Sequence, residues 1–170
     1  MSPSHETIDH RRSVTVKQTA GLLGFAACGI CDPAPIARRR YVLDWLAAGR
    51  HGEMSYLARN IETRLDPARW LPGARSIIVV AWLYRVAERN DGVPVANAAA
   101  VTDGRREPAW PGRLGAIARY AWGRDYHRVI RGRLRKLVDG LRQQRGESFE
   151  SRICVDTAPL LEREIAQRAG

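Results

Sequence analysis

Residues 152–163 read Arg-Ile-Cys-Val-Asp-Thr-Ala-Pro-Leu-Leu-Glu-Arg. A short apolar run of β-type residues stops at a lone acid, Asp156. Thr157 and Pro159 then signal a helix that carries Glu162 in its first turn. A hydroxyl or acid ahead of a helix, proline at its first position and an acid soon after all favour a helix start. In open α/β sheets, ligands sit where the carboxyl end of a strand faces a helix start. Asp156 therefore has two readings. It is a capping carboxylate, or it does chemistry at the edge of a sheet. Either way, strand, acid and helix in that order point to an α/β fold.

Upstream, Ser76 to Leu83 is the clearest strand in the chain. Its core, Ile77-Ile78-Val79-Val80-Ala81-Trp82-Leu83, is apolar at every position. Cover on both faces is expected, as in a parallel or mixed sheet. Phe25 to Cys31 reads as a second buried strand, closed by Asp32-Pro33. Helices are expected over Ser13–Leu23 and about Ile36–Ala48, the latter with Tyr41, Leu43, Trp45, Leu46 and Ala47 as core positions. Gly49 to Glu53 is a loop, Ser55–Asn60 a short helical piece, and 67–75 a turn bounded by Pro and Gly. Residues 85–113 form a long loop rich in Gly, Pro, Ala and Arg, either a substrate-facing insertion or a disordered excursion. Residues 1–12 are polar and read as a disordered leader, leaving 13–170 as one domain.

The strongest helix pattern runs from Arg124 or Asp125 to about Arg145. Tyr126, Ile130, Leu134, Leu137 and Leu141 form a continuous apolar stripe. Arg124, Arg128, Arg131, Arg135 and Arg142 follow the opposite face. Positions 124–145 hold eight basic residues against Asp125 and Asp139, which is +6 of the total +10. This face is a solvated surface or a phosphate-binding ridge.

Composition narrows the classes. With 45% hydrophobic and 27% charged residues the chain is an ordinary globular one. A net charge of +10 and an isoelectric point near 10.5 suggest a polyanionic partner. Of 28 basic residues only Lys17 and Lys136 are lysines, a skew that follows genome composition as readily as guanidinium chemistry. Cys28, Cys31 and Cys154 do not make a disulfide framework, and a reduced cytoplasmic location is expected. Cys28 and Cys31 lie three apart on a strand, so they point to opposite faces and read as packing residues. Apolar runs fall short of the ~20 residues that span a bilayer, and no membrane partner is expected. Arg11-Arg12 ahead of an apolar stretch superficially resembles an export signal, but Glu6, Asp9 and Lys17 interrupt it. His5, His10, His51 and His127 share no metal-ligand spacing, and hydrolase, NTPase and dinucleotide signatures are absent.

Five segments, taken together, carry a family resemblance. They are Gly24-Phe25 through Gly29-Ile30 with Asp32-Pro33; His51-Gly52-Glu53-Met54 with Tyr56-Leu57; Arg64-Leu65-Asp66-Pro67-Ala68-Arg69 with Leu71-Pro72-Gly73-Ala74-Arg75-Ser76-Ile77; Ala118-Arg119-Tyr120-Ala121-Trp122-Gly123-Arg124-Asp125-Tyr126-His127; and Val155-Asp156-Thr157-Ala158-Pro159-Leu160-Leu161-Glu162-Arg163. In this order the chain resembles the N-terminal half of the cobalamin-dependent epoxyqueuosine reductases of tRNA modification, over about residues 20–170.

The resemblance implies a nitroreductase-like cobalamin-binding domain with a small mixed sheet flanked by helices, ahead of a ferredoxin-type domain. It implies reduction of epoxyqueuosine to queuosine at the tRNA wobble position, with Co(I) attacking the epoxide and Asp156 protonating the opening oxygen. Arg64, Ala118, His127 and Asp156 become candidate cobalamin contacts. The partners implied are tRNA, along the basic helix 124–145, and an external electron donor to two 4Fe-4S clusters. Two such clusters take on the order of eight thiolates, and this chain has three cysteines. A monomer is expected. The dipole of a helix start favours an ionised carboxylate, whereas a general acid must hold its proton, a conflict that desolvation can reverse. Three other classes stay open: a corrinoid reductase of the dehalogenase type, a non-catalytic corrinoid- or RNA-binding module, and a truncated product with no independent function.

Overall fold

The computed structural model describes residues 5–83 and 124–170, with side chains from His10 onward. Five helices and two strands carry the described fold: α1 (His5–Leu22), β1 (Ala27–Cys31), α2 (Arg39–Ala47), α3 (Ile61–Leu65), β2 (Ile77–Ala81), α4 (Tyr126–Arg145) and α5 (Glu162–Ala169). Single 3-10 turns at Ser55–Leu57 and Pro67–Arg69 flank α3. The α/β class holds, with helices around a small sheet. Helix α1 starts at His5, inside the stretch read as leader. The expected loop 85–113 and Ala118 lie outside the described residues.

β1 and β2 pair antiparallel, with Cys28 opposite Val80, Gly29 opposite Val79 and Ile30 opposite Ile78. The uniform apolarity of 77–81 had suggested parallel or mixed pairing. Cover on both faces accounts for it without a parallel neighbour. On one face, Cys28, Ile78 and Val80 pack against a buried cluster of Ala20 from α1, Phe25, and Leu137 and Leu141 from α4. On the other lies α5, where Cys31 Sγ approaches the Ile165 carbonyl oxygen at 3.9 Å. The alternation of a strand thus sends Cys28 and Cys31 to opposite layers. Burial raises the pKa of the Cys28 thiol, as expected of a packing cysteine.

The stripe on α4 is the core stripe: Leu137 and Leu141 are buried, and Ile130 and Leu134 pack against the same cluster. Gly24, with φ of 82°, lets the chain turn from α1 into β1. Arg133 closes that corner by donating to the Leu23 carbonyl and lying 4.1 Å from the Trp82 ring centroid. On α2 the expected core positions divide. Trp45 and Leu46 are partly buried, while Tyr41, Leu43 and Ala47 are exposed. No helix among the described residues is long and apolar enough to cross a membrane.

Residues 152–156 do not pair into the sheet among the described residues. The segment 149–156 instead runs back along α4. Arg142 donates to the Phe149 carbonyl at 3.0 Å near one end, and Tyr126 meets Asp156 at the other. Nor does α5 begin at Pro159. Proline holds its predecessor out of the helical region, and Asp156 adopts a left-handed φ of 54°, so the helix starts only at Glu162. Asp156 is a turn residue and caps no helix.

Candidate active site

Helix α4 begins by capping itself. Asp125 stands at its N-cap, and Asp125 Oδ1 accepts from the backbone N–H of His127 at 3.0 Å. The same oxygen lies 3.0 Å from His127 Nδ1. One carboxylate therefore holds both the helix start and the imidazole. These two hydrogen bonds, side chain first and backbone second, lower the pKa of Asp125. Tyr126 stacks on the His127 ring, with centroids 4.1 Å apart and planes 28° from parallel.

The turn at Asp156 delivers its carboxylate to this helix start. Asp is among the residues that tolerate a left-handed backbone, at a local cost of order 1 kcal/mol. Tyr126 Oη donates to Asp156 Oδ2. His127 Nε2 lies 3.8 Å from the same oxygen. Half of the Asp156 side chain (50%) remains exposed, so the carboxylate is fastened on one side and open on the other.

A third carboxyl joins from α5. Glu162 is exposed as a residue, but its carboxyl end is partly buried beside Asp156. Burial first, and the Asp156 charge second, raise its pKa. A raised carboxyl binds its proton more tightly in the folded chain than in the unfolded one. Its contribution to stability is present below the ordinary glutamate pKa and is lost as pH rises through the raised value. Glu162→Gln should therefore melt like the parent at about pH 4 and higher than the parent at about pH 7. Thermal melts at the two pH values check this, and a lower melting temperature at neutral pH would show that the carboxylate stabilises the fold.

The sequence-derived candidates are thus only partly brought together. Asp156 and His127 meet, along with Tyr126, whose place in the apolar stripe predicts a core position. In the sequence Asp125 and Glu162 are helix-start residues, and that local role masks their place in the site. Arg64 does other work. Its Nε donates to the Arg59 carbonyl at 3.3 Å and its Nη2 to the Tyr56 carbonyl at 3.1 Å, closing the loop ahead of α3. It also lines a groove of about 220 Å³ with Tyr41, Trp45 and Leu57, which reaches α5 through Leu161, the neighbour of Glu162.

The basic face of α4 is uneven. Arg124, Arg128 and Arg135 are exposed and Arg131 is partly so. Arg142 is held by the Phe149 carbonyl and by Asp139, 3.7 Å from its Nη1, so it fastens the return segment and leaves the expected ridge one member short. Cys154, half-buried beyond α4, has its thiol pKa raised by burial.

Residues 64–157, from Arg64 to just past Asp156, match the family profile described as epoxyqueuosine reductase QueG, DUF1730. The chain is 39% identical over 150 residues to the epoxyqueuosine reductase of Burkholderia pseudomallei, covering 87% of this chain and 36% of that protein. Against that of Escherichia coli K12 it is 37% identical over 155 residues, covering 91% and 37%. Among solved structures, epoxyqueuosine reductase from Streptococcus thermophilus aligns with a TM-score of 0.65 at 24% identity, over 92% of this chain and 38% of that one. A selenomethionine-labelled epoxyqueuosine reductase aligns at 0.71 and 24% identity, over 95% and 39%. These structures share the fold. The chain spans 36–44% of the length of such curated relatives. With the profile covering more than half of its residues, this chain belongs to the epoxyqueuosine reductase family.

Proposed function

We propose that this chain supplies the acid and part of the cofactor pocket for reduction of epoxyqueuosine to queuosine in cytoplasmic tRNA. The observation that carries the reading is the convergence of Tyr126, His127 and Glu162 on the half-open carboxylate of Asp156. An opening epoxide leaves an alkoxide, and ring opening is slow unless that oxygen is protonated. Asp156 is the group placed to provide the proton, anchored by Tyr126 on one oxygen and accessible to substrate on its open side.

Cobalamin is the cofactor proposed, and when bound it would supply the strongly reducing nucleophilic centre. The donor set fits its amide-rich rim. The carboxylate oxygens of Asp125 and Asp156 accept from amide N–H groups, and the exposed edge of His127 offers a further polar contact. Arg64 stands in the groove that reaches α5 and would face the periphery of the cofactor. Electrons would come through two 4Fe-4S clusters outside this chain, because three cysteines do not provide two sets of ligands.

The tRNA would lie along the exposed arginines of α4. Changing Arg128, Arg131 and Arg135 together to Gln should weaken binding. It should also flatten the slope of log K against log salt by about two to three, at somewhat under one unit per lost phosphate contact. Filter binding across a salt series measures this, and an unchanged slope returns the face to a solvated surface. The reaction itself is tested by joining this chain to the C-terminal remainder of a homologous reductase. Epoxyqueuosine in tRNA should be consumed. A chimera that binds both cobalamin and tRNA yet leaves the epoxide intact overturns the reading in favour of a binding module or another corrinoid substrate.

A further inference from the structure

We infer that His127, clamped by Asp125, is a proton relay that recharges Asp156 after each turnover. The inference rests on the function proposed above and extends it to a residue whose expected role was cofactor contact.

Its starting point is a difficulty at Asp156. The Tyr126 hydroxyl donates into Oδ2, so the site presents that oxygen as an acceptor. A group that must give a proton away needs a neighbour that hands one over. His127 is arranged for that. Asp125 Oδ1, 3.0 Å from Nδ1, holds the ring, and Nε2 lies 3.8 Å from Asp156 Oδ2. The Tyr126 ring, stacked at 4.1 Å, limits rotation of the imidazole. A carboxylate at one ring nitrogen and a second at the other are the parts by which a histidine is oriented and its charged form supported.

The proton count closes. Asp156 transfers its proton to the opening oxygen and becomes a carboxylate. The His127 imidazolium then passes its Nε2 proton to the Asp156 carboxylate, after the two side chains close by about one ångström or through one water, and the carboxyl again holds one proton to present on its open side. Neutral His127, with 37% of its side chain exposed, takes the replacement from solvent. Asp125 stays ionised throughout, consistent with its lowered pKa. Among the described residues, the charged groups around the imidazole are Asp125 and Arg128 on α4, Asp156 on the turn, and Glu162 on α5 near Asp156.

The test begins with the 170-residue chain and needs no turnover. Nitrogen-15 NMR follows the titration of the His127 ring in the parent and in Asp156→Asn and Asp125→Asn. Each variant removes one carboxylate at close range, so each should displace the His127 titration curve from the parent's. If Asp156→Asn leaves the midpoint where it was, the two groups are uncoupled and the relay is overturned. In the chimera, His127→Ala should lose turnover at least about tenfold while keeping the cofactor spectrum, and added imidazole should restore it. Parent-level turnover by His127→Ala would refute the relay and leave the proposed reaction standing. A parent chimera without turnover would count against the reaction alone, and the NMR coupling would then decide the relay.

Discussion

Asp156→Asn is expected to keep the fold, the cofactor spectrum and tRNA binding of the chimera while turnover falls roughly a hundredfold to ten-thousandfold, the range for loss of general-acid catalysis. The amide is nearly the size of the carboxyl and still accepts the Tyr126 hydrogen bond through its oxygen. Asn also tolerates the left-handed backbone that residue 156 adopts at φ of 54°. What it lacks is a transferable proton. Because Asp156 caps no helix, the structural cost of the change should be small, and a loss of rate will report chemistry. The check is single-turnover conversion of epoxyqueuosine in tRNA, with a thermal melt alongside. Near-normal conversion would leave Asp156 as an anchor for Tyr126 and require the acid to lie elsewhere.

Gly29→Ala is expected to destabilise the chain by about 1–3 kcal/mol, the cost of overpacking a closely fitted contact. An added Cβ would stand 2.6 Å from the Ala169 carbonyl oxygen and 2.8 Å from Ala169 Cβ. The nearer atom is backbone, so relief requires α5 to move off β1 as a unit. Gly29 lies in a strand and is not among the residues with positive φ, so the penalty isolates the clash from any backbone preference. At this chain length, 1 kcal/mol corresponds to about 2–4 °C in melting temperature, and a loss of roughly 3–10 °C should appear. Since α5 also carries Glu162, the displacement should reach the Asp156 site and diminish the neutral-pH gain of Glu162→Gln. A melting temperature equal to the parent's would mean that the last turn of α5 yields freely.

Much of the framework was legible from local pattern. The stripe from Tyr126 to Leu141 marked α4 and its buried face, because a period near four puts those residues on one side of a helix whatever surrounds it. The apolar runs at Phe25–Cys31 and Ser76–Leu83 marked the strands, and three-residue spacing separated Cys28 from Cys31. Asp156 stood out as a lone acid between an apolar run and the helix-start signals of Thr157 and Pro159. Strand direction was not legible, since cover by α1 and α4 on one side and α5 on the other leaves the same uniform apolarity as a parallel neighbour would. The helix start at Glu162 was missed because Thr157 and Pro159 carry the signals of a cap, while the left-handed turn at Asp156 is set by the return of the chain along α4.

The amino-acid sequence by itself determined the α/β class, helices α1, α2 and α4 and the two paired strands, and it singled out the carboxylate at 156, because these rest on periodicity and on one residue's chemistry. Only the tertiary structure decided which groups meet that carboxylate. Asp125, Tyr126 and His127 lie about thirty residues before Asp156, and Glu162 lies on the far side of a turn. Their shared site exists because the segment after α4 folds back antiparallel along it, held by Arg142 at one end and Tyr126 at the other. The same folding removed Arg142 from the basic face that its spacing had assigned to it. Spacing along a helix says which side a residue occupies, and the neighbouring segment then determines whether that side meets solvent or another part of the chain.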